Sequence, residues 1–519
     1  MSTNKKQKKS VFDGFLNGIE RVGNKLPHPI TLFFILAVLV VVLSAVLSAL
    51  GVSATGDLIN TSTNTMEEQT VTVVSLMTRE GIVHMLTNAV TIFTSYAPLG
   101  MVLVAMLGVG IAESSGFIAA VTKRIVAVTP RSLITPVLVF LGVMSNIASD
   151  VGYIVLVPLG AIIFLAYGRH PLAGIAAAFA GVSGGFSANL LIGTLDPLMA
   201  GISNEAVKLV DPNYVVEPTG NMYFMMVSVF LITILGTIIT EKVVEPRLGT
   251  YKGKLTGDVA SQDVSEVEKK ALKKASLTLL ALVIAVVVLC IPQNSIFRGE
   301  TGNLLGKSPL IQGVIVLVGL FFFIPSVVYG FASGKYKNDK DVCAAMAQSM
   351  GHMSSYIALS FVAAQFINYF GYSKLGTILA LHGAAFFKAI KIGTIPLMIL
   401  FVLFSAFLNL FMGSASAKWA ILAPVFVPMF MLLGYTPEMA QVAFRIGDSC
   451  TNIITPMMSF FAMIVVFVQE YDDEAGMGTL TAMMLPYTIT FLIGWTVMMI
   501  VWITLGLPLG PNATIFRVV

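Results

Sequence analysis

Apolar stretches long enough to cross a bilayer recur from residue 29 almost to the C-terminus, and four of them are interrupted by clusters of Gly, Ser, Asn, Thr and Pro. A helix needs about 20 apolar residues to cross the hydrocarbon, which leaves room for roughly nine to eleven crossings. The interruptions fall at a depth where lipid-facing irregular backbone would strand its N–H and C=O groups, so they must face protein or water. Composition agrees: 56% of the 519 residues are hydrophobic and 11% are charged, against about 25% charged in soluble domains. No sizeable soluble domain is expected.

The placement of Lys and Arg sets the expected orientation. The first apolar run, PHPITLFFILAVLVVVLSAVLSALG, follows the basic KKQKK stretch and is far longer than a signal-peptide core, so it reads as a retained anchor with the N-terminus in the cytoplasm. Residues 1–28 then form a cytoplasmic tail. Arg247 through Lys274, and Lys335, Lys337 and Lys340, read as further cytoplasmic loops, and the 52–80 loop, with Asp57, Glu67, Glu68 and Arg79, as external. These basic patches are topological signals and imply no nucleic-acid partner. Cys290, Cys343 and Cys450 are far apart and have no nearby His, which argues against metal clusters and disulfides and for buried apolar filler.

The polar stretch 245–274 reads as a cytoplasmic linker between two membrane halves, 29–244 and 275–508, with 509–519 as a tail. Each half contains two interruptions in the same order. The first has SNIASDVGYIVLVP (Ser145 to Pro158) and SGGFSANLLIGTLDP (Ser183 to Pro197); the second has MGSASAKWAILAP (Met412 to Pro424) and GDSCTNIITP (Gly447 to Pro456). A shift of 266 positions places Pro158 on Pro424, Tyr153 on Trp419 and Asp150 on Ser416. We therefore expect a hairpin near 135–168 and a broken helix near 172–203, repeated near 394–434 and 437–468. Any one break could be ordinary Gly/Pro kinking or close helix packing, but paired interruptions in corresponding places are the pointer to a transporter's midplane site.

Within these segments charges are few. From Thr135 to Ser203 they are Asp150, Arg169 and Asp196; from Ile392 to Val468 they are Lys418, Glu438, Arg445 and Asp448. A charge near the bilayer centre costs about 2.5–3.5 kcal/mol on the insertion scale, so each should face a cavity or a partner. Arg169 and Glu438 sit beside turn signals and are expected at loop ends. Arg445 and Asp448, three apart, are expected on one helix face, as an ion pair in the bland reading and as a pair opened by substrate or coupling ion in the functional one. Asp196 has no opposite charge nearby in sequence, so it finds one across the fold or is protonated in some states. Ser145, Asn146, Asn189, Thr451 and Asn452 sit at tips and breaks, where half-helix N-termini attract carboxylates and freed carbonyls hold cations. Individually each is as well explained by helix–helix hydrogen bonding.

Two strings resemble enzyme motifs. GNLLGKS (Gly302 to Ser308) has three residues between its glycines where a phosphate-binding loop has four, which argues against ATP hydrolysis. GVSG (Gly181 to Gly184) has the form found around the serine of intramembrane proteases, with His352 or His382 as candidate bases for Ser183, though close helix packing explains it as well.

The strings LPHPITLF, SNIASDVGYIVLVPLGA, SANLLIGTLDPLMAG, SASAKWAILAPVFVPM and RIGDSCTNIITPMMSF together resemble the p-aminobenzoyl-glutamate transporter (AbgT) family over essentially the whole chain. That resemblance implies an all-α polytopic fold with an inverted repeat, about nine transmembrane helices, two re-entrant hairpins and discontinuous helices, divided into scaffold and transport domain, in a homodimer. By motif it implies roles for Asp196, Ser416, Trp419, Pro437, Arg445, Asp448 and Pro456. With the residues read above, expected substrate contacts are Asn189, Asp196, Ser416, Trp419, Pro437, Arg445, Asp448, Asn452 and Pro456. Expected coupling-ion contacts are Ser145, Asn146, Asp196, Asp448 and Thr451, with room for sodium near Asn146 and Asn452. No cofactor or resident metal is expected; the coupling ion would be a proton or sodium. The implied solute is p-aminobenzoyl-glutamate or a p-aminobenzoate-like antimetabolite such as a sulfonamide; the expected partner is a small aromatic carboxylate, and an aryl ring suits Trp419. The expected location is the bacterial inner membrane, in contact with lipid. The rivals are an intramembrane protease and a passive anion channel.

Overall fold

The computed structural model describes residues 27, 29–60, 65–127, 129–146, 152–251, 265–299, 302, 304 and 308–517. The expected N-terminal tail apart from residue 27, the first hairpin's tip with Asp150, and most of the Gly302–Ser308 string lie outside these.

The described residues are mostly helical. Helix α1 (Pro29–Ala49) leads to a short sheet, then α2 (Arg79–Thr94), α3 (Ala97–Ser114) and the short α4 (Phe117–Ala127). Next come α5 (Arg131–Ser145), α6 (Gly152–Ala166), α7 (Pro171–Gly184), α8 (Leu195–Val207) and α9 (Met222–Leu248). Helices α10 (Glu266–Cys290) and α11 (Val314–Ala332) precede α12 (Asp339–His352), α13 (Ser354–Tyr372) and α14 (Leu375–Ala389). The chain closes with α15 (Thr394–Asn409), α16 (Ala415–Leu432), α17 (Pro437–Asn452), α18 (Phe461–Gln469) and α19 (Met477–Leu505). Among the described residues, seven helical stretches are long and apolar enough to cross a membrane. Several expose apolar faces, such as Leu280, Ile284 and Val287 on α10, as helices solvated by lipid tails do.

One element departs from the all-helical expectation. The 52–80 loop contains an antiparallel pair, β1 (Ser53–Asn60) and β2 (Thr65–Thr72), in the register Ser53↔Thr72. Its Thr- and Val-bearing strands suit a pleated surface, and the Thr55 and Thr70 hydroxyls meet across it at 2.8 Å. Gly56 lets it dock: a Cβ there would stand 2.6 Å from a Leu381 methyl on α14. Within the stretch 245–274, α9 runs to Leu248 and α10 begins at Glu266 behind a Ser265–Glu268 capping box, and residues 252–264 lie outside the described ones.

The interruptions lie between α5 and α6, α7 and α8, α15 and α16, and α17 and α18. Two have a local cause in the sequence. Helix α7 runs into Gly184-Gly185 and α17 into Thr455-Pro456, whose missing N–H cannot continue a helix. Arms of the hairpins pack tightly on the broken helices, and a Cβ on Gly174 of α7 would meet the Gly160 carbonyl oxygen of α6 at 2.1 Å; only glycine permits that approach. Comparable clasps tie both sets at their outer ends. Arg169, ahead of α7, pairs with Glu245 on α9 at 2.5 Å and donates to Thr135 Oγ1 on α5 at 2.7 Å. Tyr435, ahead of α17, donates to Thr394 Oγ1 at the start of α15 at 2.9 Å, while the Thr436 N–H donates to the Ile515 carbonyl beyond α19 at 3.1 Å. In both places the tail of a long helix grips a hairpin and a broken helix together.

Candidate functional site

The four interruptions converge on a cavity of about 350 Å³. Asn146 from the first hairpin, Thr194 and Leu195 from the start of α8, Ser414 and Ser416 from the second hairpin, and Asn452 and Phe460 from the α17–α18 break line one side; Val102, Met106 and Tyr356 from α3 and α13 line the other. Of the expected residues, Asn146, Ser416 and Asn452 therefore face one space. Its aromatic surface comes from Tyr153, Phe186, Tyr356 and Phe460, with Tyr153 and Phe460 stacked 4.7 Å apart.

Behind the cavity lie two buried ion pairs, and the partners are not those the spacing suggested. Arg445 does not pair with Asp448. Its guanidinium reaches Asp196 at 2.8 Å, so Asp196 finds its counter-charge across the fold. Asp196 also accepts hydrogen bonds from the Asn189 amide and the Gly193 N–H, each at 2.8 Å. The same guanidinium donates to the Ser187 carbonyl at 2.8 Å, and Ser187 N–H donates to Ser449 Oγ at 3.2 Å. Arg445 thereby laces the irregular α7–α8 segment to α17. Asp448 meets Lys418 of α16 instead, at 2.5 Å, with both side chains 1% exposed. Although the two stand on one face of α17, each takes the opposite charge that another helix brings to it, Asp196 from α8 and Lys418 from α16.

The two carboxylates differ in how well they are held. Asp196 has three donors, whereas the Asp448 carboxylate has no hydrogen-bond partner among the described residues apart from the Lys418 ammonium. Lys418 also donates to Asn409 Oδ1, and the Asn409 amide donates to the Asp448 carbonyl (2.6 Å), Thr451 Oγ1 (2.9 Å) and Asn452 Oδ1 (2.8 Å). Asn409 closes the first arm of the second hairpin as Asn146 closes that of the first, where its amide donates to the Val182 carbonyl of α7 at 2.9 Å. The Asn146 Oδ1 is buried without a hydrogen-bond partner among the described residues.

Other expected residues stand off the cavity. Trp419 is fully buried, donates from Nε1 to Ser203 Oγ at 3.0 Å, and packs 4.8 Å from Phe444, so its ring fills space between α8, α16 and α17. Pro437 sits in the first turn of α17 behind the Thr436 cap, at the end remote from the break, and Pro456 lies within the break. Thr451 Oγ1 bonds back to the Gly447 carbonyl at 2.9 Å. Ser145 bonds the Gly142 carbonyl at 2.6 Å and faces a lateral apolar pocket. Ser183 is fully buried and its hydroxyl has no hydrogen-bond partner among the described residues, while His352 and His382 are exposed, so the protease arrangement is not assembled among them.

Asn409, Gln441 and Ser203 were not singled out in the sequence, nor was Lys418 assigned to the site. Gln441 donates to Ser203 Oγ at 2.7 Å, completing the bracket around Trp419. Asn409 was legible in principle: shifting the first hairpin by 263 positions lays Asn146 on it, while the proline-based shift of 266 passes it by.

Comparison with known proteins yields one consistent result. The sequence profile of the AbgT transporter family matches residues 14–517. The p-aminobenzoyl-glutamate transport protein of Escherichia coli (strain K12) is 39% identical over 494 residues, covering 95% of both chains. The YdaH transporter of Alcanivorax borkumensis, whose crystal structure is described as having an unusual topology, superposes with a TM-score of 0.87 at 45% identity, covering 93% of this chain and all of that one. MtrF of Neisseria gonorrhoeae, described as illuminating a class of antimetabolite efflux pumps, superposes with a TM-score of 0.90 at 45% identity over 96% of this chain and all of that one. These relatives are transporters, not enzymes.

Proposed function

The chain belongs to the AbgT transporter family, and from that premise we propose that it is a secondary active transporter of p-aminobenzoyl-glutamate or a related p-aminobenzoate-like antimetabolite such as a sulfonamide, coupled to a proton or sodium gradient. The observation that carries this reading is the cavity where two hairpins and two broken helices meet, with two buried ion pairs directly behind it. Such a place offers polar backbone and amide groups to a carboxylate inside the membrane, and its aromatic lining receives an aryl ring.

Helix order supports an inverted repeat. A helix pair, an interfacial helix, a hairpin, a broken helix and a long helix occur as α2–α9 and recur as α12–α19. Taking α2–α3, α7–α8, α12–α13 and α17–α18 each as one crossing gives nine with α1, α9, α10, α11 and α19. A cytoplasmic N-terminus then puts the β1–β2 hairpin outside and gives the two repeats opposite senses, in a bacterial inner membrane. The clasps that hold hairpins to broken helices favour their moving as one body past α3 and α13, an elevator-type transport domain against a scaffold in a homodimer. Asp448 is the carboxylate a coupling cation can claim with least disruption, because it would replace one partner where Asp196 would lose three.

Reconstituted protein should accumulate labelled p-aminobenzoyl-glutamate or a labelled sulfonamide against its concentration under an imposed proton or sodium gradient. Equilibration without accumulation under either would mark a passive channel and contradict the proposal. Replacing Ser183 by Ala should leave that uptake within about twofold of the parent, since it removes a buried hydroxyl with no hydrogen-bond partner among the described residues; loss of function would revive the protease reading.

A further inference from the structure

A second cavity, of about 500 Å³, lies between α2, the end of α8, and α13 with the start of α14. We propose that it is a vestibular binding site for the same class of aromatic carboxylate, through which solute passes between the central cavity and the face carrying the β1–β2 hairpin; this rests on the central cavity being the transport site.

Position is the first argument. The same three helical walls line both cavities. At the α2–α3 wall, Tyr96 faces the second cavity and Val102 the central one; on α8, Lys208 and Leu198; on α13, Ala364 and Tyr356. Six to ten residues separate the members of each pair, about 9–15 Å along a helix at 1.5 Å per residue. The cavities are therefore stacked on one path, with buried groups such as Ile202 of α8 in the layer between. The Val74 N–H bonds the Ser373 carbonyl at 3.0 Å, which ties the β-hairpin's exit to the rim beside Lys374.

Chemistry is the second argument. The Lys208 ammonium is matched by Glu205 at 2.8 Å, but Lys374, exposed on the rim, has no ion-pair partner among the described residues. The mouth therefore holds one uncompensated positive charge among the described residues, which can meet one carboxylate of the solute while any other stays in water. His84 stacks on Tyr372 with ring centroids 4.2 Å apart, and its Nε2 meets Asn368 Oδ1 at 2.8 Å. An aryl ring can lie along that stack while its carboxylate reaches Lys374. A neutral apolar drug would gain little there.

The test uses full-length protein in nanodiscs with labelled p-aminobenzoyl-glutamate, measuring stoichiometry by equilibrium dialysis. Lys374 has φ 62°, a conformation Asn tolerates, so Lys374→Asn removes the charge without straining the start of α14. The unaltered protein should bind two solutes per chain and Lys374→Asn one, with its uptake KM raised about tenfold and its maximal rate within about twofold. Ser416→Trp, which fills the central cavity, should abolish uptake yet retain one bound solute, which Lys374→Asn then removes. One solute per chain in the unaltered protein, with Lys374→Asn without effect, would overturn the vestibular site and leave the transport reading standing. Absence of any binding with Ser416 intact would instead sink the assigned solute class, and this site with it.

Discussion

Asp196→Asn is expected to lower gradient-driven accumulation of p-aminobenzoyl-glutamate in proteoliposomes by about 100-fold or more, while the protein still inserts and assembles. The substitution keeps a group that can accept from Gly193, but it strips Arg445 of its only anionic partner among the described residues. Breaking a buried pair from one side costs about 3–5 kcal/mol, and at about 1.4 kcal/mol per tenfold that is roughly 10²- to 4 × 10³-fold in the population of the competent arrangement. A structural role alone would also show lowered thermal stability, so a second variant separates the two. In Asp196→Asn with Arg445→Gln both charges leave together, and melting should recover toward that of the parent. Transport should not recover. Normal accumulation in the single variant would remove Asp196 from the mechanism, and recovery of transport in the double variant would reduce the pair to a strut.

The second large effect belongs to Lys418 and Asp448. Lys418→Met leaves a fully buried carboxylate with no donor among the described residues, and Asp448→Asn leaves a buried ammonium with only neutral amide oxygens, those of Asn409 and the introduced side chain, to accept from it. Each single change should destabilise by about 3–5 kcal/mol, whereas the double change Lys418→Met/Asp448→Asn should come close to the parent, because a buried pair replaced whole costs little. What the double variant should lose is coupling: labelled solute would equilibrate across the vesicle membrane under a proton or sodium gradient without being concentrated. Persistence of uphill uptake in a well-folded double variant would assign the coupling ion elsewhere.

Much of the frame was visible before any coordinates. The interruptions were legible because backbone in lipid must satisfy itself, so a Ser-Asn-Gly cluster inside an apolar run marks a place the chain has to protect. Asn146, Ser416 and Asn452 were legible for the same reason, as polar side chains at such places, and all three line the cavity. Partner choice was not. Arg445 stood three residues from Asp448 and took Asp196, about 250 positions away, because pairing follows the faces of packed helices and not the spacing along one of them. Trp419 carried the expected aryl contact, yet its indole N–H is held by Ser203. The aromatic lining comes instead from Tyr153, Phe186, Tyr356 and Phe460, which nothing in the local sequence distinguishes from ordinary apolar packing. The β1–β2 hairpin escaped notice because two eight-residue strands in a polar loop are faint beside membrane-length hydrophobic runs.

The central claim is that solute rides in the space between the second hairpin's tip and the two breaks. A single cysteine at Ser416, in protein whose Cys290, Cys343 and Cys450 have been replaced, puts a reporter on that wall. The rate of its alkylation by a small maleimide, followed with and without p-aminobenzoyl-glutamate, tests occupancy directly, with a cysteine at Thr70 on the distant β-hairpin as control. Saturating solute should slow the reaction at position 416 by about tenfold or more and leave position 70 unchanged. Equal rates at position 416 with and without solute, in protein that still concentrates it, would contradict the account.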